Sequence, residues 1–183
     1  NKSGTHDILR ALCQEHGIDF DVVSAFKLDG EIVSSTAIRQ YLQQGDIERA
    51  NRLLGRSFYI KGMVEKGVGR GKTIGFPTAN IFTQAELWPR KGVYVTGVQI
   101  GEAILPSVTN IGDNPTFQTT PAAQAKIETH VLDFSRDVYG EKIKTIFMHR
   151  LRDEKKFSSV QNLVDQIQRD VEAARKWWAK KND

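Results

Sequence analysis

GVYVTGVQIGEAILPSVTN, residues 92–110, carries the clearest strand signal in this sequence. Two runs rich in Val, Ile and Thr, 92–100 and 103–110, flank Gly101-Glu102. Branched side chains suit a pleated, half-buried surface, and a glycine between two such runs reads as a turn. The same character extends on both sides. Candidate strands lie at 57–66, 76–82, 125–133 and 142–151, with Gly, Pro and Asn breaking the chain between them. Short strands separated by turns argue for an antiparallel barrel or a sandwich. One helix follows. Val160, Leu163, Val164, Ile167, Val171 and Ala174 form an apolar stripe, and Ser158 and Gln161 have capping-box spacing at its start.

Before Gly55 the pattern is different. Residues 4–17 read as a helix, with Ile8, Leu9, Leu12 and Cys13 at helical spacing and Gly17 as the stop. DFDVVSAF, 19–26, reads as a strand. Ser34 to Thr36 are cap-type residues opening a helix that carries Ile38, Tyr41 and Leu42, and a short helix follows at 46–54. The expected boundary lies between residues 54 and 55. The chain lacks an initiator Met and opens in mid-pattern, which gives the expectation of a fragment of a longer protein.

Composition narrows little. The chain has 183 residues, 39% hydrophobic and 26% charged, as a globular domain with a buried core has. A net charge of +4 is spread along the chain, so it suits nucleotide phosphates as well as any larger polyanion. Aromatics interleaved with Lys and Arg, as a nucleic-acid binder would want, come nearest at Phe58, Tyr59 and Lys61, and that is poor support. A single cysteine excludes an intrachain disulfide, and no apolar run is long enough to span a bilayer. A cytoplasmic protein without a nucleic-acid or membrane partner is expected. The oligomeric state is not legible.

KGVGRGKTIGFPTAN, 66–80, carries the chemistry. Gly67, Gly69 and Gly71 stand at alternate positions with Arg70 and Lys72 among them. Glycines let a ligand approach backbone N–H groups, and the cations suit phosphate oxygens. The frame is wrong for a Walker loop, and no helix pattern follows, so it is not a dinucleotide fingerprint either. A plain hairpin loop would read the same. Thr78 and Asn80 are alternate, so on an extended chain they share a face. Their oxygens suit a hard cation such as Mg²⁺; a solvated strand start is the other reading.

G-x-G-R-G-K-x-x-G-F-P-T-A-N resembles the signature of the riboflavin kinase family. NIGDNPTF (110–117), KIETHVLDF (126–134), RDVYGEKI (136–143) and LRDEKKFSSVQNLVDQIQRD (151–170) resemble further family segments in the same order. The resemblance covers about residues 56–176. It implies an α+β fold: a six-stranded antiparallel Greek-key β-barrel with a C-terminal helix. It implies transfer of the γ-phosphate of ATP to riboflavin, giving FMN and ADP. It assigns Thr78 and Asn80 to Mg²⁺ and ATP, and Gly67, Gly69, Arg70, Gly71 and Lys72 to the turn over the nucleotide. Val131 and Tyr139 match positions near the nucleotide, Arg152, Lys155 and Phe157 positions around the flavin. Glu128 takes the role of catalytic base. His130, on the same strand face, is read as structural. A non-catalytic flavin- or nucleotide-binding barrel is the alternative; it would not need Glu128, Thr78 and Asn80 together.

VSSTAIR, 33–39, resembles the I-S-S-T-x-x-R motif of the nucleotidylyltransferase domain that precedes the kinase in bacterial bifunctional riboflavin kinase/FMN adenylyltransferases. That implies a remnant nucleotide site at Ser34, Ser35, Thr36 and Arg39. The same residues also read as a helix cap. Residues 1–54 are then the end of a truncated Rossmann-like α/β domain and 55–183 the kinase domain, with FAD formation expected of the full-length parent only.

Overall fold

The computed structural model describes residues 5–67, 69–112 and 126–182. The chain divides into two compact units, Asn1–Val33 and Ser34–Asp183.

In the first unit, α1 (His6–Glu15) is capped by Thr5, whose hydroxyl accepts from the Ile8 N–H. A short hairpin pairs β1 (Lys27–Leu28) with β2 (Glu31–Ile32). Its turn, Asp29-Gly30, has φ of 51° and 81°, the left-handed pair that tight hairpin turns require. The strand expected at 19–26 does not form. A strand is stable only beside a partner that takes its backbone hydrogen bonds. None is present among the described residues of this unit, and Val23 is 92% exposed. No Rossmann-like sheet is seen among them either.

The second unit opens with α2 (Ser35–Gln44) and α3 (Ile47–Leu54), capped by Ser34 and Asp46 and ended by Gly45 and Gly55 in left-handed geometry. Six strands follow: β3 (Tyr59–Glu65), β4 (Ala79–Phe82), β5 (Gly92–Ile100), β6 (Ala103–Gly112), β7 (Lys126–Val131) and β8 (Lys142–Arg152). They close into a barrel in the order β3-β4-β7-β6-β5-β8, every pair antiparallel. β5, β6 and β7 are consecutive neighbours and β4 lies beside β7, which is a Greek key. Closure decides between the barrel and the sandwich.

Alternation sorts the side chains. Ile60, Val64, Ile81, Tyr94, Val98, Ile111, Ile127, Val131, Ile143 and Phe147 belong to one buried cluster inside the barrel. Leu42, Ile47 and Ala50 join it, so α2 and α3 cover part of this core. Asn51 fixes that contact: its amide donates to the Phe147 carbonyl (2.9 Å) and accepts from the Phe58 N–H (2.7 Å). Burial pushes the pKa of the Tyr94 phenol up; its hydroxyl donates to the Arg90 carbonyl.

The barrel interior also holds buried hydroxyls at Thr96, Ser107, Thr109 and Thr129. They form a chain with contacts of 2.7–2.9 Å. Ser107 donates to the Thr96 carbonyl, so Thr96 must donate to Ser107, Thr109 to Thr96, and Thr129 to Thr109. One direction therefore satisfies the whole chain, and such chains polarise cooperatively.

The last helix, α5 (Val160–Asn182), packs outside the barrel. Ala174 and the partly buried Val171, Trp177 and Trp178 cover Val93, Val95, Val108 and Leu132. The Trp178 indole donates to the Thr96 carbonyl at 3.3 Å. The cap is Ser159 rather than Ser158, since Ser159 accepts from the Asn162 N–H at 3.1 Å. Gln161, expected to complete a capping box, instead donates to Asp165. Arg175 clasps Asp133 through two hydrogen bonds of 2.6 and 2.7 Å, which hold the Asp133 carboxyl below the usual range. The clasp therefore stabilises the fold above the unfolded Asp pKa of about 3.9 and is lost as pH falls through the lower folded value. Asp133→Asn is expected to flatten that acid limb of stability, measured by urea midpoints at several pH values; an unchanged limb would contradict it. No helix among the described residues is long and apolar enough to cross a membrane.

Candidate active site

The register of the barrel places four polar residues in one row. Glu65 on β3 pairs with Asn80 on β4, Asn80 with Glu128 on β7, and Glu128 with Asn110 on β6. Ile81, Ile127 and Ile111, adjacent in sequence, face the core, so this row faces out. Facing Cα atoms in antiparallel sheets are about 4.5–5.5 Å apart. Glu128 thus sits between two amides. Lys126, two residues earlier on the same face, holds its carboxylate at 2.6 Å.

The glycine turn lies directly on this row. Gly67 packs against the Asn80 amide so closely that a Cβ there would overlap it. A Cβ on Gly71 would meet the Phe76 carbonyl and stand 3.2 Å from the Thr78 hydroxyl. Absence of side chains at 67 and 71 is therefore what lets the turn cover P-T-A-N. The stretch contains a single helical turn, α4 (Arg70–Thr73), where the sequence pattern gave none. Gly69, at φ 75°, opens it, and the Phe76 N–H closes it on the Gly71 carbonyl at 2.8 Å. Four residues do not make the long helix of a Walker or dinucleotide site. Arg70 and Lys72 project from it, exposed.

Thr78 is partly buried. Asn80 Oδ1 is buried without a hydrogen-bond partner. An orphaned buried oxygen is costly unless a ligand completes it. A hard cation is a fitting completion, because it takes oxygen donors and keeps waters and phosphate oxygens in its remaining positions. His130 positions this segment. Its Nδ1 lies 2.8 Å from the Pro77 carbonyl, and its ring meets Phe76 edge-on.

The other expected site residues are placed differently. Val131 points into the barrel core, 8% exposed. Tyr139 is exposed, with Lys66 over its ring at 5.9 Å, beside the entry to the glycine turn. Arg152 is committed to α5: it binds Asp170 with three contacts of 2.6–3.1 Å and stacks 6.0 Å from Phe157. Lys155 is exposed on the same loop. Ser34 is a helix cap, its Oγ accepting from the Ala37 N–H at 3.2 Å; Ser35, Thr36 and Arg39 are exposed on the first turns of α2. Of NIGDNPTF, residues 113–117 lie outside the described residues.

Three residues of the site were not singled out from the sequence. Asn110 flanks Glu128, and Glu154 reaches Asn110 at 3.5 Å while packing on Gly112. Lys126 is the third. Cross-strand register brings Asn110 to Glu128, which the local sequence does not show; the i, i+2 spacing of Lys126 and Glu128 on β7 was the signal for Lys126.

The riboflavin kinase model, Flavokinase, matches residues 54–178. This chain belongs to the riboflavin kinase family. Its kinase-family segment spans the whole barrel and almost all of α5. Bifunctional riboflavin kinase/FMN adenylyltransferases are similar to it. The Bacillus subtilis protein is 40% identical over 80% of this chain and 47% of its own length. The Haemophilus influenzae protein is 39% identical over 95% and 56%, and the Escherichia coli K12 protein 38% over 97% and 56%. The chain thus spans about half the length of the curated relatives it matches. A crystal structure described as a macrolide-efflux protein from Streptococcus pneumoniae superposes with a TM-score of 0.83 at 35% identity, covering 95% of this chain and 56% of that one. Riboflavin kinases work on ATP with a divalent metal.

Proposed function

We propose that this chain is an ATP:riboflavin 5′-phosphotransferase, with Glu128 as general base and Thr78 and Asn80 holding Mg²⁺. The observation that carries the reading is the buried, unpartnered Asn80 oxygen, one strand away from Glu128 and roofed by Gly67. A plain binding barrel has no need of a carboxylate beside an orphaned oxygen ligand.

The chemistry suits these groups. Phosphoryl transfer asks mainly for alignment and charge stabilisation. Mg²⁺ would neutralise the phosphate oxygens. The glycine turn offers backbone N–H groups, and Arg70 and Lys72 add positive charge over the phosphates. Glu128 accepts the proton of the ribityl 5′-hydroxyl as its oxygen bonds to the γ-phosphorus. The bond to the β,γ-bridging oxygen breaks, and ADP leaves. Lys126 exchanges Glu128 for phosphate oxygen when substrates bind. His130 holds the Phe76-Pro77 turn so that Thr78 and Asn80 stay aligned. Tyr139 lines the nucleotide entry and Val131 supports it from the core. Lys155 and Phe157 contact the flavin, on a loop that Arg152 anchors.

Asn80→Ala is expected to abolish the Mg²⁺ dependence of nucleotide binding. Titration calorimetry with ADP, with and without Mg²⁺, checks this; superimposable Mg²⁺ curves for both proteins would remove Asn80 as a ligand. Incubation with riboflavin and MgATP should yield FMN and ADP, and absence of FMN would leave only the binding barrel.

Residues 1–54 belong, on this reading, to the adenylyltransferase half of a bifunctional, cytoplasmic parent that also makes FAD. Ser35, Thr36 and Arg39 are its phosphate-side residues.

A further inference from the structure

A second basic site lies on the outer face of β3 and β8. Lys61 on β3 and Lys144 on β8 are directly opposed in register, and Lys142 is paired with Met63 one pleat away. Like charges directly across a ladder are destabilising, so this arrangement has a cost. No Asp or Glu lines the cleft between them, and among the described residues none of the three lysines has an ion-pair partner. Tyr59 gathers two of the cations instead: the Lys144 ammonium lies 4.4 Å and the Lys61 ammonium 5.8 Å from its ring centroid. A π-face holds an ammonium in place without neutralising it. Two of the three positive charges are thus held in position, and among the described residues none is neutralised by an ion pair.

The cleft has a volume of about 1030 Å³. Small-molecule sites run to about 300–1,000 Å³, so it exceeds the needs of a single inorganic anion. Two large apolar side chains stand in its wall, which also carries Thr83, Gln84 and Gln99. Met63 and Phe82 are paired across β3 and β4 and are 42% and 46% exposed. One side therefore suits a flat apolar ring, and the other suits a dianion. None of these residues belongs to the row of Asn80 and Glu128, although Phe82 stands two positions from Asn80 on the same strand face.

We propose that this cleft is a second binding site for a planar heterocycle carrying a terminal phosphate, and that its occupant is FMN. The ring lies on Met63 and Phe82, and the phosphate is held by Lys61, Lys142 and Lys144. The choice of FMN rests on the reading that this chain makes it. The site would hold product outside the catalytic row.

Equilibrium dialysis of the full chain with FMN tests the idea, alongside a Lys61→Gln/Lys144→Gln variant. Wild type is expected to bind two FMN per chain and the variant one. Affinity at the second site should fall by about tenfold or more for each lysine lost, since charge-assisted bonds carry it. Riboflavin, lacking the phosphate, should bind once to both proteins. Wild-type stoichiometry of one, or two FMN on both proteins, overturns the proposal. AMP displacing the second FMN as well as FMN itself overturns the flavin assignment. FMN formation is measured on the same preparations and should be equal in the two. Turnover with a single bound FMN defeats this inference alone, whereas no turnover in either protein defeats the kinase reading.

Discussion

Glu128→Gln is expected to lower the rate of FMN formation by about 10²–10⁴-fold, the usual contribution of a general base. The substitution keeps the size of the side chain and its place between Asn80 and Asn110. It removes the ability to take a proton. It also removes the charge partner of Lys126, which is then free to hold phosphate. MgADP affinity should accordingly be unchanged or slightly tighter. Single-turnover kinetics with saturating substrates, beside calorimetric titration of MgADP, separate the two effects. Near wild-type turnover would remove Glu128 as the base. A matched loss of nucleotide affinity would mean that the variant had disturbed the Asn80 side instead.

The largest stability effect is expected at Asp170. Its carboxylate is 5% exposed, accepts three contacts from Arg152 and a fourth from the Gln166 amide at 2.9 Å. Asp170→Ala leaves the Arg152 guanidinium poorly solvated and unpaired, which costs about 3–5 kcal/mol. For a chain of this length that is a fall in Tm of roughly 10 °C. Urea unfolding measures it, and a loss below about 1 kcal/mol would show the pair to be solvent-screened. The double variant Arg152→Met/Asp170→Leu should be more stable than Asp170→Ala, because no charge is left buried. Function should follow. Arg152 also donates to the Asp153 carbonyl at 3.0 Å and stacks near Phe157, so losing its anchor loosens the loop that carries Lys155 and Phe157. A raised KM for riboflavin with an unchanged KM for ATP is the expected signature.

Much of the kinase half was legible in the chain. The strands of 92–110 and the stripe of α5 follow from local pattern, because alternation and helical spacing are imposed by burying one face. The glycines at 67 and 71 announced a close approach, and Thr78 and Asn80 announced a shared face. Residues 19–26 misled. Their Val and Phe content favours a strand, but among the described residues no neighbouring strand completes the ladder. Ser158 misled by one position, because caps are set by backbone geometry and Ser159 has the same chemistry.

The sequence by itself determined the strand pattern and the glycine turn and, through motifs in register with a known family, singled out the carboxylate proposed as the base. Only the tertiary structure decided that the strands close into a barrel, that Asn110 stands beside Glu128 with Glu154 against it, and that Arg152 spends its guanidinium on Asp170. It also decided that three lysines from two strands share one cleft. The physical reason is the same in each case. Local pattern reports which face a residue takes. Which residue stands opposite depends on strand order and register, and these are fixed by closing the barrel around its core.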